Sequence, residues 1–417
     1  MTQERRRRRT RSRESLSTTP LHPYRFVDAS GAWLIDNSGR RFFDGTSGSG
    51  AVGLGHQYPP VVEAVSSQLR RLIHTGCKLG SVARDDMIER LGQLAPFGAP
   101  SVLPTATGSE AVEAALKVAR AATGKRIVVS FPRAFHGKTQ GSLSLSQNAH
   151  IRLHSDLPPR DFGPHLPNTP AGILEFSRAL AALFEEQRDR GGVAGLIVEP
   201  VQVTEGVHVV LPEALKIAAE TAKANGALLI LDEIHTSFAR CGATFLSDCL
   251  NVVPDILIVG KALGNGFPIA AVLGEQETID CLPAGVQTST YSGMPLSAAA
   301  AVAVLDAMEA EALAERSLQI GRLLESALHS AAAAFPWVGD IRVKGALGAF
   351  DCVRLNPGQS TASRFRDLAA DRGLLLFSGG SGGDTVKIVP PMLLNPSEID
   401  FLESCLAETF EAVNAAG

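Results

Sequence analysis

The sequence predicts an α/β fold with a large domain built on a doubly wound, mostly parallel sheet and a small C-terminal α+β domain. Two observations support this prediction. The short apolar runs at residues 227–231 and 256–259 have the length and composition of strands buried on both faces. Between about residues 80 and 290, such runs alternate with segments of helical periodicity, which is the pattern of a doubly wound sheet.

The length and composition agree with this class. The chain has 417 residues, of which 45% are hydrophobic and 20% charged, so it can bury the cores of two domains. No apolar run reaches the roughly 18 residues of a membrane span, so no membrane contact is expected. The six cysteines are scattered and form no Cys-x-x-Cys pair, which predicts a cytoplasmic protein without a metal site.

The first 14 residues are strongly basic. They contain seven arginines against two glutamates, whereas the rest of the chain carries a net negative charge. A basic tail can bind nucleic acid or an acidic surface, but a solvated, disordered extension over residues 1–24 is the more common outcome. We therefore predict no nucleic-acid partner.

The N-terminal half contains several further element candidates. Residues 32–44 predict two short strands around an Asn-Ser-Gly turn, residues 45–55 are glycine-rich, and residues 61–73 have helical periodicity. Residues 126–130 and 195–199 are further strand candidates for the large sheet.

The C-terminal part predicts a second domain. The alanine-rich residues 296–314 predict one helix that leads into it, residues 338–355 and 373–394 supply strand patterns, and residues 396–416 predict a closing helix. After the tail, we therefore expect an N-terminal segment, a large domain and a small domain, over residues 25–60, 61–300 and 301–417.

Asp232 and Lys261 each stand at the end of a predicted strand, 29 residues apart in the chain. Ligands of open α/β sheets bind at the carboxyl ends of the strands. A lone Asp there is more often a loop cap and a lone Lys a surface charge. The pair, however, fits pyridoxal phosphate (PLP) chemistry, in which the amine forms a Schiff base and the carboxylate keeps the pyridinium nitrogen protonated.

The flanking residues carry a family resemblance. Asp-Glu-Ile-His-Thr-Ser-Phe-Ala-Arg-Cys-Gly at residues 232–242, and Pro-Asp-Ile shortly before Lys261, resemble the class III (ω-amino-acid type) aminotransferases of PLP fold type I. The resemblance covers about residues 25–412. It implies PLP as cofactor and transfer of an amino group from an amine or amino-acid donor to a carbonyl acceptor through a Schiff base on Lys261.

Thr107-Gly-Ser-Glu110 predicts a helix start. Thr107 and Glu110 have the spacing of a capping box, and a helix N-terminus is a natural phosphate site, although such a helix often binds nothing. The resemblance implies that Thr107, Gly108 and Ser109 hold the phosphate of PLP.

The resemblance also implies the remaining cofactor contacts. Phe135, in the sequence Phe-His-Gly-Lys with His136, corresponds to the residue that stacks on the pyridine ring, and Ile234 to the residue on the opposite face. Glu199, in Glu-Pro-Val-Gln, corresponds to a residue beside the cofactor. His235 occupies a position where Gln is common and where the side chain meets the ring hydroxyl.

The resemblance further implies a homodimer with shared active sites. Thr288-Ser-Thr-Tyr-Ser-Gly-Met-Pro295 is similar to a family loop whose Thr reaches the phosphate of PLP in the other subunit. That residue is Thr290 here, with Ser289 beside it. The N-terminal segment corresponds to a stretch near the dimer interface.

Three positions depart from family members that handle dicarboxylic keto acids. Lys138 and Lys387 stand where those members have Arg, and Thr204 stands where they have a Glu, with the acid shifted to Glu205. Lysine cannot make the forked contact that Arg offers a carboxylate. We expect a changed substrate pocket, with 2-oxoglutarate a poor or non-preferred acceptor.

Two alternatives stay open at this point. The same fold type includes aminomutases, epimerases, decarboxylases and enzymes that form carbon–carbon bonds. A catalytically silent binding protein of this fold is the other alternative, although Lys261, Asp232 and Phe135 speak against it.

Overall fold

The structure is a computed structural model, and it describes residues 22–153, 155, 162–355, 358–380 and 382–415. Most of the predicted tail, up to residue 21, therefore lies outside the described residues.

The N-terminal segment forms a small meander followed by a tight turn and a helix. The predicted strand pair is confirmed, and a further strand precedes it. The helix begins two residues before the predicted start, with prolines in its first turn, and ends at Arg71. The elements are β1 (Phe26–Ser30), β2 (Trp33–Asp36), β3 (Arg41–Asp44), the single turn α1 (Ser47–Gly50) and α2 (Pro59–Arg71).

A six-stranded sheet forms the centre of the protein. Its order is β4-β11-β10-β9-β6-β5. The predicted mostly parallel sheet is confirmed, since β5, β6, β9 and β10 run parallel and β11 lies antiparallel to both of its neighbours. The strands are β4 (Pro100–Thr105), β5 (Ile127–Val129), β6 (Val193–Val198), the short pair β7 (Val201–Gln202) and β8 (His208–Val209), β9 (Leu228–Asp232), β10 (Ile256–Val259) and β11 (Ala270–Glu275).

Strand β4 was not among the candidates, and it contains Pro100 and Pro104. Proline cannot donate to a ladder and is confined to edge strands, and β4 is an edge of the sheet. Side chains of successive residues in the inner strands alternate between two apolar cores, one on each face. Ile230 and Ile258 face the core shared with helix α4, whereas Leu229 and Leu257 face the opposite core. The helices around the sheet are α3 (Val82–Leu94), α4 (Gly108–Thr123), α5 (Gln140–Ser144), α6 (Ile173–Gln187), α7 (Pro212–Ala224), α8 (Leu246–Leu250) and α9 (Gln276–Ile279).

The single helix predicted at residues 296–314 is wrong. The chain forms α10 (Pro295–Ala310) and α11 (Leu313–Ala334), separated by Ala312 in the left-handed conformation with φ of 48°. Alanine has high helix propensity at every position, so composition gave no sign of the break. The predicted domain boundary at residue 301 falls inside α10, and the division of the chain into domains stays a prediction.

The C-terminal part contains a second, four-stranded antiparallel sheet of order β12-β13-β16-β15. Strand β14 instead pairs in parallel with β3, and Phe43 shares a core with Phe350, Phe365 and Phe410. The N-terminal segment therefore packs on the C-terminal elements. These are β12 (Val338–Lys344), β13 (Leu347–Cys352), α12 (Thr361–Asp371), β14 (Leu374–Leu375), β15 (Phe377–Gly379), β16 (Thr385–Ile388) and α13 (Pro396–Ala415).

The described residues contain neither a membrane-spanning helix nor a group of metal ligands. None of their helices is both long and apolar enough to cross a membrane. No group of three or more His, Cys, Asp or Glu side chains among them is arranged to hold a metal ion.

Glu233 fastens the loop that follows β9. Its buried carboxylate accepts hydrogen bonds from the backbone N–H of Leu246 (2.6 Å) and Ser247 (2.8 Å) and from Oγ1 of Thr236 (2.9 Å). These contacts tie the segment behind Asp232 to the start of α8, because a buried carboxylate requires such donors.

We predict that Glu233→Ala lowers the free energy of unfolding by roughly 2–4 kcal/mol, since each buried amide left without an acceptor costs about 1–3 kcal/mol. Urea unfolding followed by circular dichroism measures the change. Glu220→Ala is the control, because Glu220 is exposed on α7 and its ion pair with Lys216 is long, at 4.0 Å between Nζ and Oε1. Equal losses in the two variants would contradict the prediction.

Candidate active site

A cavity of about 220 Å³ opens at the carboxyl edge of the central sheet. It brings together most of the residues that the sequence predicted for the site, and Gly137 in addition. The lining residues are Thr107, Gly108, Ser109, Phe135, His136, Gly137, Glu199, Thr204, Asp232, Ile234, His235 and Lys261. A wider groove of about 840 Å³ between β2, α2 and the start of α13 does not contain Asp232 or Lys261.

Asp232 and Lys261 reach the cavity from neighbouring strands. Asp232 is the last residue of β9 and pairs with Ile258 of β10, so Lys261 follows only three residues beyond that pair. Lys261 has a φ of 44° at the start of a short 3₁₀ turn. Left-handed backbone at a non-glycine residue is strained and concentrates at functional sites. The backbone of Lys261 therefore indicates a functional residue, independently of its charge.

His136 holds the carboxylate of Asp232. Its Nδ1 lies 2.7 Å from Asp232 Oδ2, and both side chains are buried. The backbone N–H of Ile234 donates to Oδ1 of the same carboxylate at 3.2 Å. Sequence reasoning placed His136 near the cofactor but gave it no partner, since 96 residues separate the two side chains in the chain.

Glu199 follows β6 and borders the same cavity. Its Oε1 accepts a hydrogen bond from the backbone N–H of Phe135 at 2.7 Å, which fixes the loop that carries the aromatic ring. Burial and, second, the negative charge of Asp232 raise the pKa of Glu199 well above its usual value, whereas the Phe135 amide and Lys261 lower it. The protonated form of Glu199 is therefore favoured here.

The amine of Lys261 has a neutral neighbour. Its Nζ lies 2.6 Å from His235 Nδ1. Burial lowers the pKa of Lys261 to about 8, against the raising influence of Asp232 and Glu199. Burial, followed by the positive charge of Lys261, lowers the pKa of His235 well below its usual value, so the imidazole is uncharged.

The N-terminus of α4 forms the opposite wall. Thr107 Oγ1 accepts from the backbone N–H of Glu110 at 3.3 Å, and Glu110 Oε2 accepts from Ala106 N–H at 2.9 Å. The predicted helix cap is thus confirmed. The first N–H groups of a helix have no intrahelical acceptor and attract anions, so Gly108 and Ser109 present a site that suits a phosphate.

Gly137 was missed by sequence reasoning, although it lies inside the Phe-His-Gly-Lys motif. Its φ is 132°, and a Cβ there would lie 2.4 Å from Ser109 Oγ and 2.5 Å from Ser142 Oγ. Only glycine lets this loop pack against the hydroxyl at the start of α4.

Four predicted residues do not line the cavity. Within the described part of the chain, Ser289 Oγ donates to Glu110 Oε1 at 3.3 Å and Thr290 is exposed. Lys138 is exposed, with its backbone N–H donating to Ser109 Oγ at 3.4 Å. Lys387 is partly buried and donates from Nζ to the carbonyl oxygen of Thr204 at 3.0 Å.

Comparison with known proteins identifies related chains. A family model described as "Aminotransferase class-III" matches residues 16–410. The chain is 34% identical over 394 residues to the probable 4-aminobutyrate aminotransferase of Bacillus subtilis (strain 168), covering 89% of both chains. It is 33% identical over 406 residues to a 5-aminovalerate aminotransferase of Pseudomonas putida, covering 93% of this chain and 94% of the other. A solved amine transaminase from an uncultivated Pseudomonas species, in its PLP-bound form, has a TM-score of 0.84 and 30% identity, covering 94% of this chain and 95% of that one.

Proposed function

The chain belongs to the class III aminotransferases, and we propose that Lys261 and Asp232 are the residues with which it performs PLP-dependent amino-group transfer. The observation that carries the assignment is the shared cavity. It brings an amine from the end of β10, a carboxylate from the end of β9 and the N-terminus of α4 around one space. The family and the fold, PLP fold type I, agree with this chemistry.

The residues present fit PLP. We assign the phosphate to Thr107, Gly108 and Ser109, and the ring nitrogen to Asp232, whose carboxylate is already oriented by His136. Phe135 and Ile234 are assigned to the two ring faces, and His235 to the ring hydroxyl, with Glu199 beside them. When bound, PLP supplies an aldehyde for an amine and a ring that accepts the electrons of a carbanion.

Lys261 performs the proton movements in this proposal. Its Nζ takes the proton from the substrate carbon that bears the amino group and later returns one, because an amine with a pKa of about 8 exchanges protons readily near neutral pH. Asp232 lies opposite the ring nitrogen in this assignment, where a carboxylate favours the protonated ring. An amine donor and a carbonyl acceptor are the small-molecule partners.

We propose a homodimer in which Thr290 and Ser289 complete the phosphate site of the neighbouring subunit. Thr290 is exposed, and the neighbouring Tyr291 is 59% exposed. The ring of Tyr291 stacks on that of His74, with 5.1 Å between the ring centroids. The segment that includes His74 exposes further large apolar side chains. Such exposure near one loop is typical of an interaction surface. These side chains are Leu69, Leu72, Ile73, Leu79 and Val82.

The proposed acceptor preference follows from the contacts of Lys387. Its Nζ already donates to the Thr204 carbonyl, and burial lowers its pKa while Glu205 and then Glu199 raise it. Glu205 itself is buried and accepts from Asn148 Nδ2 at 2.9 Å. A carboxylate entering here meets an ammonium group that is engaged elsewhere and cannot form a forked contact.

We also propose a cytoplasmic location. All six cysteines are free thiols, three of them buried, as expected in a reducing compartment.

The assignment of Lys261 predicts that the purified protein is yellow, that borohydride fixes PLP to Lys261, and that an amine donor converts bound PLP to the pyridoxamine form. Lys261→Ala should abolish both reactions, because no other amine lines the cavity among the described residues. Absorbance spectra and peptide mapping measure them. Lys223→Ala, on the exposed end of α7, is the control. Borohydride fixation of PLP in the Lys261→Ala variant would disprove the assignment.

The shared site predicts that Thr290→Val weakens PLP retention about ten-fold or more, because a hydroxyl–phosphate bond contributes very roughly 1.5–3 kcal/mol. Equilibrium dialysis measures retention, and sedimentation measures mass. Thr288→Val, two residues away and also exposed, should retain PLP like the wild type. A stable and fully active monomer would contradict the proposal.

The contacts of Lys387 predict that pyruvate or another acceptor has a higher kcat/KM than 2-oxoglutarate. Lys387→Arg, which restores a forked donor, should raise the 2-oxoglutarate to pyruvate ratio several-fold. Lys125→Arg is the matched control and should leave this ratio unchanged. Lys125 also donates to a backbone carbonyl, that of Gly226, but it does not line the cavity. A clear wild-type preference for 2-oxoglutarate would show that the three departures were overinterpreted.

A further inference from the structure

A strained turn lies behind the site. Ser47, Gly48, Ser49 and Gly50 all have positive φ, of 47°, 54°, 66° and 83°. A run of this kind containing two serines is rare, because L-residues clash in left-handed backbone. Strain of this kind persists only where the surrounding structure enforces it, and it concentrates at functional sites.

Asp44 enforces the turn. Its carboxylate accepts hydrogen bonds from the N–H and Oγ1 of Thr46 (3.0 and 2.6 Å), from the N–H of Gly48 (2.9 Å) and contacts Nε2 of His56 (2.8 Å). Ser47 Oγ donates to the carbonyl oxygen of Val389 at 2.6 Å. The conformation is therefore built into the fold.

The turn presses Gly50 against His235. A Cβ at Gly50 would lie 2.2 Å from His235 Nε2 and 2.8 Å from its Cδ2, so any larger residue would displace the imidazole. On its other side the ring contacts Lys261, with Nδ1 2.6 Å from Nζ. Nε2 is buried and has no hydrogen-bond partner among the described residues. The imidazole is thus clamped between a glycine backbone and the Lys261 amine.

We propose that His235 is the positioning residue of Lys261, and that Gly50 makes this possible because it leaves room for the imidazole. The proposal rests on the proposed function, since it concerns the amine that captures PLP. His235 presents an uncharged ring to the lysine where a carboxylate would hold the amine as ammonium. An amine positioned in this way can attack the aldehyde of PLP once it has lost its proton, above about pH 8.

The charges around the pair support an uncharged ring. Burial and then the cationic groups that face His235 among the described residues, Lys261, Arg240 and Lys387, lower its pKa. Burial is also the largest influence on the pKa of Lys261 and lowers it. Among the described residues that face Lys261, Asp232 and Glu199 raise this pKa, whereas Lys387 and Arg240 lower it.

The direction of the pH dependence follows. Because the pKa of Lys261 is lowered to about 8, its neutral form becomes dominant above about pH 8. The rate of PLP capture by the cofactor-free, full-length chain should therefore rise with pH through that region and level off above it.

The first experiment changes the charge of the partner but hardly its size. In His235→Gln an amide can still bond Lys261 Nζ, so the capture profile should keep its midpoint. In His235→Glu a carboxylate favours the ammonium form, so the midpoint should rise by about one pH unit or more and capture at pH 7 should slow about ten-fold. Stopped-flow absorbance after mixing with PLP measures the rate, and borohydride trapping with peptide mapping identifies the lysine.

The second experiment tests the clamp. Gly50→Ala should slow capture about ten-fold or more by displacing His235. Gly39→Ala is the matched control, because Gly39 also has a positive φ, of 85°, but has nothing within 4 Å of an added Cβ. This variant should capture PLP like the wild type. In a His235→Ala background the added Cβ meets open space. Gly50→Ala should then have little further effect, because residues in contact are not additive.

Three outcomes would overturn the inference. These are a wild-type pH profile for His235→Glu, a wild-type capture rate for Gly50→Ala, or effects of Gly50→Ala and His235→Ala that simply multiply. If one of these outcomes is seen while borohydride still fixes PLP to Lys261, only this inference fails. If PLP is fixed to a different residue in the wild type, the proposed function itself fails.

Discussion

Strand β10 runs beside β9 in parallel, in a register that places Ile258 opposite Asp232. Neighbouring parallel strands end at the same edge of a sheet, so the residues that directly follow them lie close together. Lys261 and Asp232 lie close together because β9 and β10 pair in this register. Two apolar cores bury both faces of these strands, and a shift of register would move polar side chains into them. The packing of these strands therefore sets the relative position of Asp232 and Lys261.

The charged groups of the cavity have different hydrogen-bond partners, and these differences shape its electrostatics. Asp232 has His136 as a close partner, whereas Glu199 accepts only a backbone N–H among the contacts described and is pushed towards its protonated form by burial and by Asp232. Lys261 in turn meets uncharged His235. The two carboxyl groups and the amine that share this small space thus have different partners, and the pKa values of Glu199 and Lys261 respond to burial and to the nearest charges.

The N-terminal segment links the site to the rest of the fold. Its strand β3 pairs with β14 from the C-terminal part, and Asp44 at the end of β3 shapes the left-handed turn that contacts His235. The same turn is fixed through Ser47 to Val389, just after β16. A residue far from the central sheet in sequence therefore helps to define the position of a side chain beside Lys261. A mobile loop could not hold strained backbone in this way.

Features that depend on local pattern could be predicted from the sequence. These are the buried parallel strands, the capped start of α4 and the positions of Asp232 and Lys261 after their strands, since apolar runs and capping boxes act over a few residues. Contacts between distant segments, in contrast, depend on how the whole chain folds. His136 with Asp232 spans 96 residues and Phe135 with Glu199 spans 64, and the fit of Gly50 to His235 depends on a missing side chain. The break at Ala312 and the proline-containing edge strand β4 were also decided there, because packing overrides local propensity.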